Sequence, residues 1–415
     1  VPSKGKPLYF LKEISSCGCL NTADVIYPAF PQILYYSPEL LRLLQVTLLE
    51  YSMGFTSQPY PLDWAPHHLG YWPIADLPYT KQENMPLEET AWAFLNIAIV
   101  AQKQGNNMSW LEPYWPAMEK WYAFMKNLMP FPGEQLSSDD FDGRFYNSTN
   151  LAMKGIVAIA AYGYIVEEYK KDRQQAAEIY ALAASYAQTV VSNSWLKNGS
   201  MSHFLMGYFG SKGDGGNLHG WSMLYNIVWF RLLNFMNLLP NQKELFDQME
   251  SFYAANTLQK YSLPLNSRNM YAKDDWMMFL ISFYYTGAGP SSPPQPSPLG
   301  KTLFDRFYLW ANTTVSRVPI SDWSDASKPV SIGFKARPVF GAMYAPMLVH
   351  FGEKSGISDS ESLAATVFEQ VHAIRAKYQH LKDCTSSGSC PVLDLWRARH
   401  MEQKSVDHDT LRIWV

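Results

Sequence analysis

Acidic residues in this 415-residue chain stand in short clusters, several of them just ahead of an apolar helical pattern or in its first turn. Glu88 and Glu89 follow Pro86. Asp139 and Asp140 follow Ser138, ahead of a pattern that carries Asn150 and Lys154. Asp274 and Asp275 sit between Lys273 and Trp276, soon after Arg268. Tyr225 with Asn226, and Arg337 after Asp322-Trp323, complete the set. Two neighbouring carboxylates can act as general acid and general base, because crowding raises one pKa and leaves the other group ionised. At a sugar carbon, a separation of about 6.5–9.5 Å suits inversion and about 5–5.5 Å suits retention. Glu88 or Glu89 is expected to pair with Asp139 or Asp140, and Asp275 to hold a second acid or to orient water. Lys154 and Arg268 are expected to clamp a substrate carboxylate. Lys273, Tyr225, Trp276 and Arg337 are expected to complete the binding surface.

Each residue also has a plain structural explanation. Acids in a first helical turn stabilise the macrodipole, which accounts for Glu88, Glu89, Asp274 and Asp275. Asp139 and Asp140 suit a turn or a cap. Lys154 and Arg268 suit structural ion pairs. His67-His68 reads as a turn feature, since no third ligand stands at helical spacing, and no metal or cofactor is expected. There is no Gly-x-Ser-x-Gly elbow, no His-Glu-x-x-His and no phosphate-binding loop; Gly213-Asp214-Gly215-Gly216 follows no strand pattern. What favours chemistry is the clustering of these groups at helix starts.

The elements that must position them are helices. Periodicity predicts twelve, over 22–35, 37–54, 86–104, 109–129, 148–169, 173–193, 218–237, 241–258, 273–286, 301–315, 337–350 and 358–381. Their character alternates: 86–104 and 148–169 are apolar nearly all round, while 109–129 and 173–193 are amphipathic. All-round apolar helices are buried and amphipathic ones face water. Six such pairs predict an all-α (α/α)6 toroid, in which every inner helix starts at one mouth. The first pair is the weakest, because Pro28 and Pro31 are expected to interrupt it. No run of alternating strands is evident. Gly287–Gly300, rich in Pro, reads as a loop. The toroid is expected over 1–355, with the last helix and a tail over 356–415.

Composition narrows the function classes. The hydrophobic share is 47%, the charged share 17% and the net charge −3. Disorder is excluded for the bulk of the chain, and without a Lys/Arg block nucleic acid is not an expected partner. No apolar run reaches the ~20 residues of a membrane span. The chain starts at Val1, with no signal peptide in view, and reads as a processed chain or a fragment. The 14 Trp, 26 Tyr and 22 Phe suit a large aromatic core, or in part a cleft for a flat ligand. Sequons at Asn107, Asn147, Asn198 and Asn312, with four cysteines, favour a secreted, extracellular glycoprotein. Cys384 and Cys390 suit a small disulfide loop, and Gly18 makes a Cys17–Cys19 bridge feasible.

At these same residues the sequence resembles the fungal secreted glutaminase A family, from about Leu8 to Val349. The motifs run in order: Lys12-Glu13-Ile14-Ser15-Ser16; Asn21 to Pro31; Glu83 to Glu89; Gln135 to Phe141; Asn150 to Gly155; Leu224-Tyr225-Asn226; Pro264 to Arg268; Lys273 to Trp276; Ala336 to Val339. The resemblance implies a secreted hydrolase with a helical toroid, preceded by an N-terminal all-β region or a separate chain of the same precursor. The implied reaction releases ammonia from L-glutamine. The chain departs from the family pattern, which has Asp at Cys17, Asn at Cys19, Asp at His68 and Gly-Asn-Met at Ala91-Trp92-Ala93. It also has Asp at Phe230, Asp at Asn266 and Glu at Met277. Two alternatives to glutamine hydrolysis stay open. One is a toroid glycosidase acting on an oligosaccharide; the other is a non-catalytic glycoprotein that binds a ligand or partner at the mouth.

Overall fold

The structure, a computed structural model, describes residues 7–54, 60–208, 220–286, 295–315 and 318–352. They all belong to the compact unit Val1–Ser355. The expected helix 358–381, the tail, the Cys384–Cys390 pair and the Gly213–Gly216 loop lie outside the described residues.

Six helical stretches form an inner ring. They are α1 (Ala23–Tyr36), α3 (Pro86–Lys103), α5 (Thr149–Ile165), the stretch Tyr225–Leu232 ending in α7 (Val228–Leu232), α9 (Asp274–Phe283), and Pro338–Gly352 ending in α11 (Ala345–Gly352). Each packs against the next, and the last packs back on α1, so the ring closes. Outside it, α2 (Pro38–Ser52) lies on α1 and α3, and α4 (Trp115–Leu128) on α3 and α5. Helix α6 (Arg173–Ser194) lies on α5, α8 (Gln242–Asn256) touches α10, and α10 (Pro298–Thr313) lies on α9. This is the expected toroid of helical hairpins.

The reason is legible in each helix. Leu87 to Ala101 of α3 and all ten residues of α9 are buried. An element without a polar face must sit inside. Thr149–Lys170 is long and apolar enough to cross a membrane, but 94% of its most apolar window is buried in the protein, so it is a core helix. On the outer ring, α6 buries only a stripe through Ala176, Ile179, Ala183, Ala187 and Val190.

Five expectations are corrected. Helix α1 runs unbroken through Pro28 and Pro31. Both prolines are buried in the ring, and tertiary packing outweighs the lost backbone bonds. The expected helix 218–237 is mostly absent. Met223 N donates to Leu265 O (2.7 Å), holding this stretch against its neighbour, and Asn234 adopts φ +59°, which ends the short α7. Over 337–350, a 3₁₀ turn (Pro338–Tyr344) precedes α11. Its Gly341 lies so close to the Ala29 backbone of α1 that a side chain there would overlap it. Finally, the strand Ser321–Asp325 pairs with both Ser331–Lys335 and Tyr271–Lys273. In addition, α10 begins at Pro298, inside the expected loop, capped by Ser297.

The ring's axis is filled by aromatics. Phe30 stacks on Trp229 with centroids 4.7 Å apart; Tyr27 lies 5.3 Å from both Trp92 and Trp276. Trp229 Nε1 donates to Tyr27 Oη (2.8 Å), and Tyr27 Oη donates to Asn226 Oδ1. At the end where the inner helices start, a depression lined in part by Trp276 of the plug remains.

Candidate active site

That depression is a cavity of about 220 Å³. One wall is charge-compensated. Lys273 Nζ lies 3.1 Å from Asp275 Oδ1 and pairs with Asp322 Oδ2; Arg337 reaches Asp322 Oδ2 and Glu13 Oε1, each at 3.2 Å. Thr22 Oγ1 donates to the other Glu13 oxygen (2.7 Å). Asp322 comes from the strand Ser321–Asp325, Lys273 from the strand beside it, and Arg337 just before the Pro338 turn. Burial alone would lower the Lys273 pKa, but Asp275 and Asp322 raise it, so this ammonium stays charged.

The opposite wall is acidic. His67 Nδ1 lies 2.5 Å from Glu89 Oε1 and 3.9 Å from Asp24 Oδ1, and its Nε2 lies 3.7 Å from Glu83 Oε1. Asp140, at the start of a 3₁₀ turn (Asp140–Asp142), faces the same cavity. Burial raises the Asp24 and Asp140 pKa values, with His67 opposing. Burial also pushes Glu89 up to about 7. Burial alone would lower His67, but Asp24 and Glu89 hold it at about 10.

The floor is Trp276, stacked on Tyr225 with centroids 4.3 Å apart. Tyr225 Oη donates to Asp139 Oδ2 (2.9 Å). Burial raises Asp139 to about 8 and Asp275 to about 6, the latter with Lys273 opposing. Deeper still, Lys154 Nζ pairs with Glu88 Oε1, which also accepts from Ser138 Oγ (2.7 Å), and lies 3.5 Å over the Tyr27 ring.

The structure therefore divides the sequence-predicted residues. Asp140, Asp275, Lys273, Trp276 and Arg337 line the cavity. Glu88, Glu89, Lys154 and Tyr225 stand behind that lining and are buried, with Asp139 half-buried beside them. Lys154, expected as a clamp, is buried and paired with Glu88. Arg268 lies outside the lining, paired with Asp142 Oδ2 (2.6 Å) and stacked on Phe145. Sequence reasoning set His67 aside; its partners come from α1, α3 and the segment before α3, which no linear spacing reveals. Asp322 was noted at the mouth but given no role, and it is the shared anchor of both cavity cations.

Cys17 and Cys19 are bonded to each other beside the cavity, so their grouping with Glu13 offers no thiolate to a metal. Asn107, Asn198 and Asn312 are exposed. Asn147 is not: it is 2% exposed, its Nδ2 donates to Tyr208 O (3.3 Å) and its Oδ1 accepts from Gly133 N (2.8 Å). A glycan on that nitrogen would have no room.

A closed ring of helical hairpins with a carboxylate-rich mouth defines a helical toroid protein. The comparisons give the family: residues 1–347 match the Glutaminase A six helical-hairpin domain, and the chain belongs to that family. It is 31% identical over 352 residues to Glutaminase A of Aspergillus oryzae, covering 83% of this chain and 46% of that protein. It is 26% identical over 430 residues to a probable glutaminase of Arthroderma benhamiae, covering 82% and 46%. The chain thus spans about half the length of these relatives. Among solved structures, an uncharacterized conserved protein of Thermus thermophilus aligns with a TM-score of 0.47 at 9% identity, over 82% of this chain and 94% of that one. A polysaccharide lyase aligns with a TM-score of 0.43 at 12% identity, over 80% and 91%.

Proposed function

We propose that this chain is a glutaminase-type hydrolase that releases ammonia from L-glutamine at the toroid mouth. One observation carries the reading: the cavity is small and strongly polar, with two carboxylates of raised pKa, Asp140 and Asp275, on its wall. A pocket of about 220 Å³ lies below the ~300–1,000 Å³ of drug-sized ligand sites and suits an amino acid. Hydrolysis of an amide needs a base to take a proton from water and an acid to protonate the leaving nitrogen. Asp275, raised to about 6, is ionised at neutral pH and serves as the base. Asp140, which lines the same cavity, is assigned as the acid by its position, and its pKa lies above the ordinary carboxylate value. Lys273 and Arg337 offer N–H donors on the same wall to a substrate carboxylate, beside the carboxylates they pair with. An extracellular location belongs to the same proposal, supported by the exposed sequons at Asn107, Asn198 and Asn312 and by the Cys17–Cys19 bridge. Its test is a loss of apparent mass on endoglycosidase treatment of protein recovered from the culture medium.

A second reading has its own observation. Tyr71, 59% exposed, lines the cavity and offers a flat apolar face to a sugar, and the next residue, Trp72, is 60% exposed. Assaying ammonia from L-glutamine beside sugar release from an oligosaccharide panel separates the readings. Ammonia alone supports the glutaminase, and sugar alone supports the glycosidase. With neither, a non-catalytic binding role gains.

A further inference from the structure

We propose that the acidic wall of the mouth is a divalent-cation site, with His67 Nδ1, an Asp24 oxygen and the Glu89 carboxylate as ligands. One ligand atom from each of these three residues lies within 4.8 Å of the others. The three come from the start of α1, the segment before α3 and the first turn of α3, elements held by ring packing.

Charge argues for it first. The cavity's two lining cations, Lys273 and Arg337, are already engaged with Asp275, Asp322 and Glu13. The opposite wall sets Asp24, Glu83, Glu89 and Asp140 around one imidazole; Arg337 also acts on Asp24 and Asp140, and Lys154 on Glu89, but both cations are already paired with other carboxylates. A buried carboxylate without a partner is costly; a divalent ion that displaces the His67 Nδ1 proton brings more positive charge to this wall than the imidazolium it replaces.

The unmet valences argue for it independently. Glu89 is fully buried, yet its Oε2 accepts no hydrogen bond from any described residue. The Asp24 side chain is 10% exposed, and its Oδ1 is likewise unmet while lying 3.9 Å from His67 Nδ1. Both groups converge on the imidazole nitrogen that faces them. Protein ligands rarely leave such oxygens idle.

The donor set suggests the kind of ion. One imidazole with two carboxylates suits zinc or manganese better than calcium, which takes six to eight oxygens. Three protein ligands leave a further position open, and His67 and Asp24 line the cavity, so that position faces substrate space. Zinc sites with three protein ligands and an open place have this layout.

The test is metal binding, which needs no substrate. Chelator-stripped protein is dialysed against zinc, and against manganese in parallel, and the bound metal is counted. Cobalt is added to a further sample to read its visible absorption. The proposal expects one ion per chain, with affinity reduced at least about 10–100-fold in His67→Ala and Glu89→Gln. Glu89→Gln keeps the side chain's shape, so it separates lost ligation from lost folding. Failure of the stripped wild-type protein to take up any ion overturns the proposal. Binding that both folded variants retain also overturns it, by moving the ion elsewhere. Because no activity is read, a protein silent towards glutamine that binds the ion still supports the site.

Discussion

Lys154 and Glu88 form an ion pair in which both side chains are 0% exposed. Removing one partner leaves a charge stranded, so Lys154→Met is predicted to cost about 3–5 kcal/mol of stability. Adding Glu88→Gln to that variant is predicted to recover much of the loss, as measured by denaturant unfolding of both proteins. Asp275 gives a pH prediction: if it is the base, kcat/KM for the wild-type protein rises as pH passes about 6 and the carboxyl ionises. Much of this scale was legible in the sequence. Acids at inner-helix starts converge on one mouth, so Glu88, Asp140, Asp275 and Arg337 were found by their positions alone. Which of them face the cavity was not legible, because that depends on side-chain direction within the assembled ring. Arg268 shows the limit: its partner Asp142 comes from the turn after Asp140, and nothing in the linear order pairs them. Asn147 shows another, since a sequon says nothing of burial.

The helical hairpins were read at the level of elements wherever one helix carries a clear face. Helices α3, α5, α6 and α8 begin and end near their expected positions because their patterns are strong. Reading failed where backbone pairing decided the outcome. The strand Ser321–Asp325 is short, polar and held by two neighbours, so no alternation announced it, yet it supplies Asp322. The stretch ahead of Tyr225 is apolar like a helix but is held by backbone bonds to other segments. The closest approach between inner elements gives a test. A Cβ on Gly341 would overlap the backbone of Ala29, which cannot swing aside. Gly341→Ala is predicted to lose about 1–3 kcal/mol through overpacking, seen as a lower melting temperature, whereas Gly54→Ala meets only left-handed backbone strain in open space.

For the molecule as a whole, most departures from the family pattern that the resemblance implies fall into two groups; Asn266, buried and bonded to Asp142, belongs to neither. Trp92, Phe230 and Met277 are buried and apolar where that pattern is polar; the Trp92 ring lies in the aromatic plug of the axis. Cys17, Cys19 and His68 instead line the cavity. The first group lies in the core, and the second lines the cavity beside Asp140, Asp275, Lys273 and Arg337. Buried carboxylates also set the pH response of stability. Asp139 is raised to about 8 and Asp275 to about 6, and Asp274 is raised by burial, from an unfolded value near 3.8. The folded state then binds more protons than the unfolded state between those limits, so their contribution is fully present below about pH 4 and is lost as pH rises through the folded values. The metal-free protein is predicted to melt at a lower temperature at pH 8 than at pH 5 in calorimetry; a higher temperature at pH 8 would show that these groups are ionised in the folded state.

The measurement that bears most directly on the account is ammonia release from L-glutamine by the purified protein beside Asp140→Asn and Asp275→Asn, each shown to be folded by circular dichroism. Activity in the parent that falls by about 10²–10⁴-fold in both variants is the predicted result. Activity that either folded variant retains, or a folded parent with none, would contradict a glutaminase reaction run by these two carboxylates.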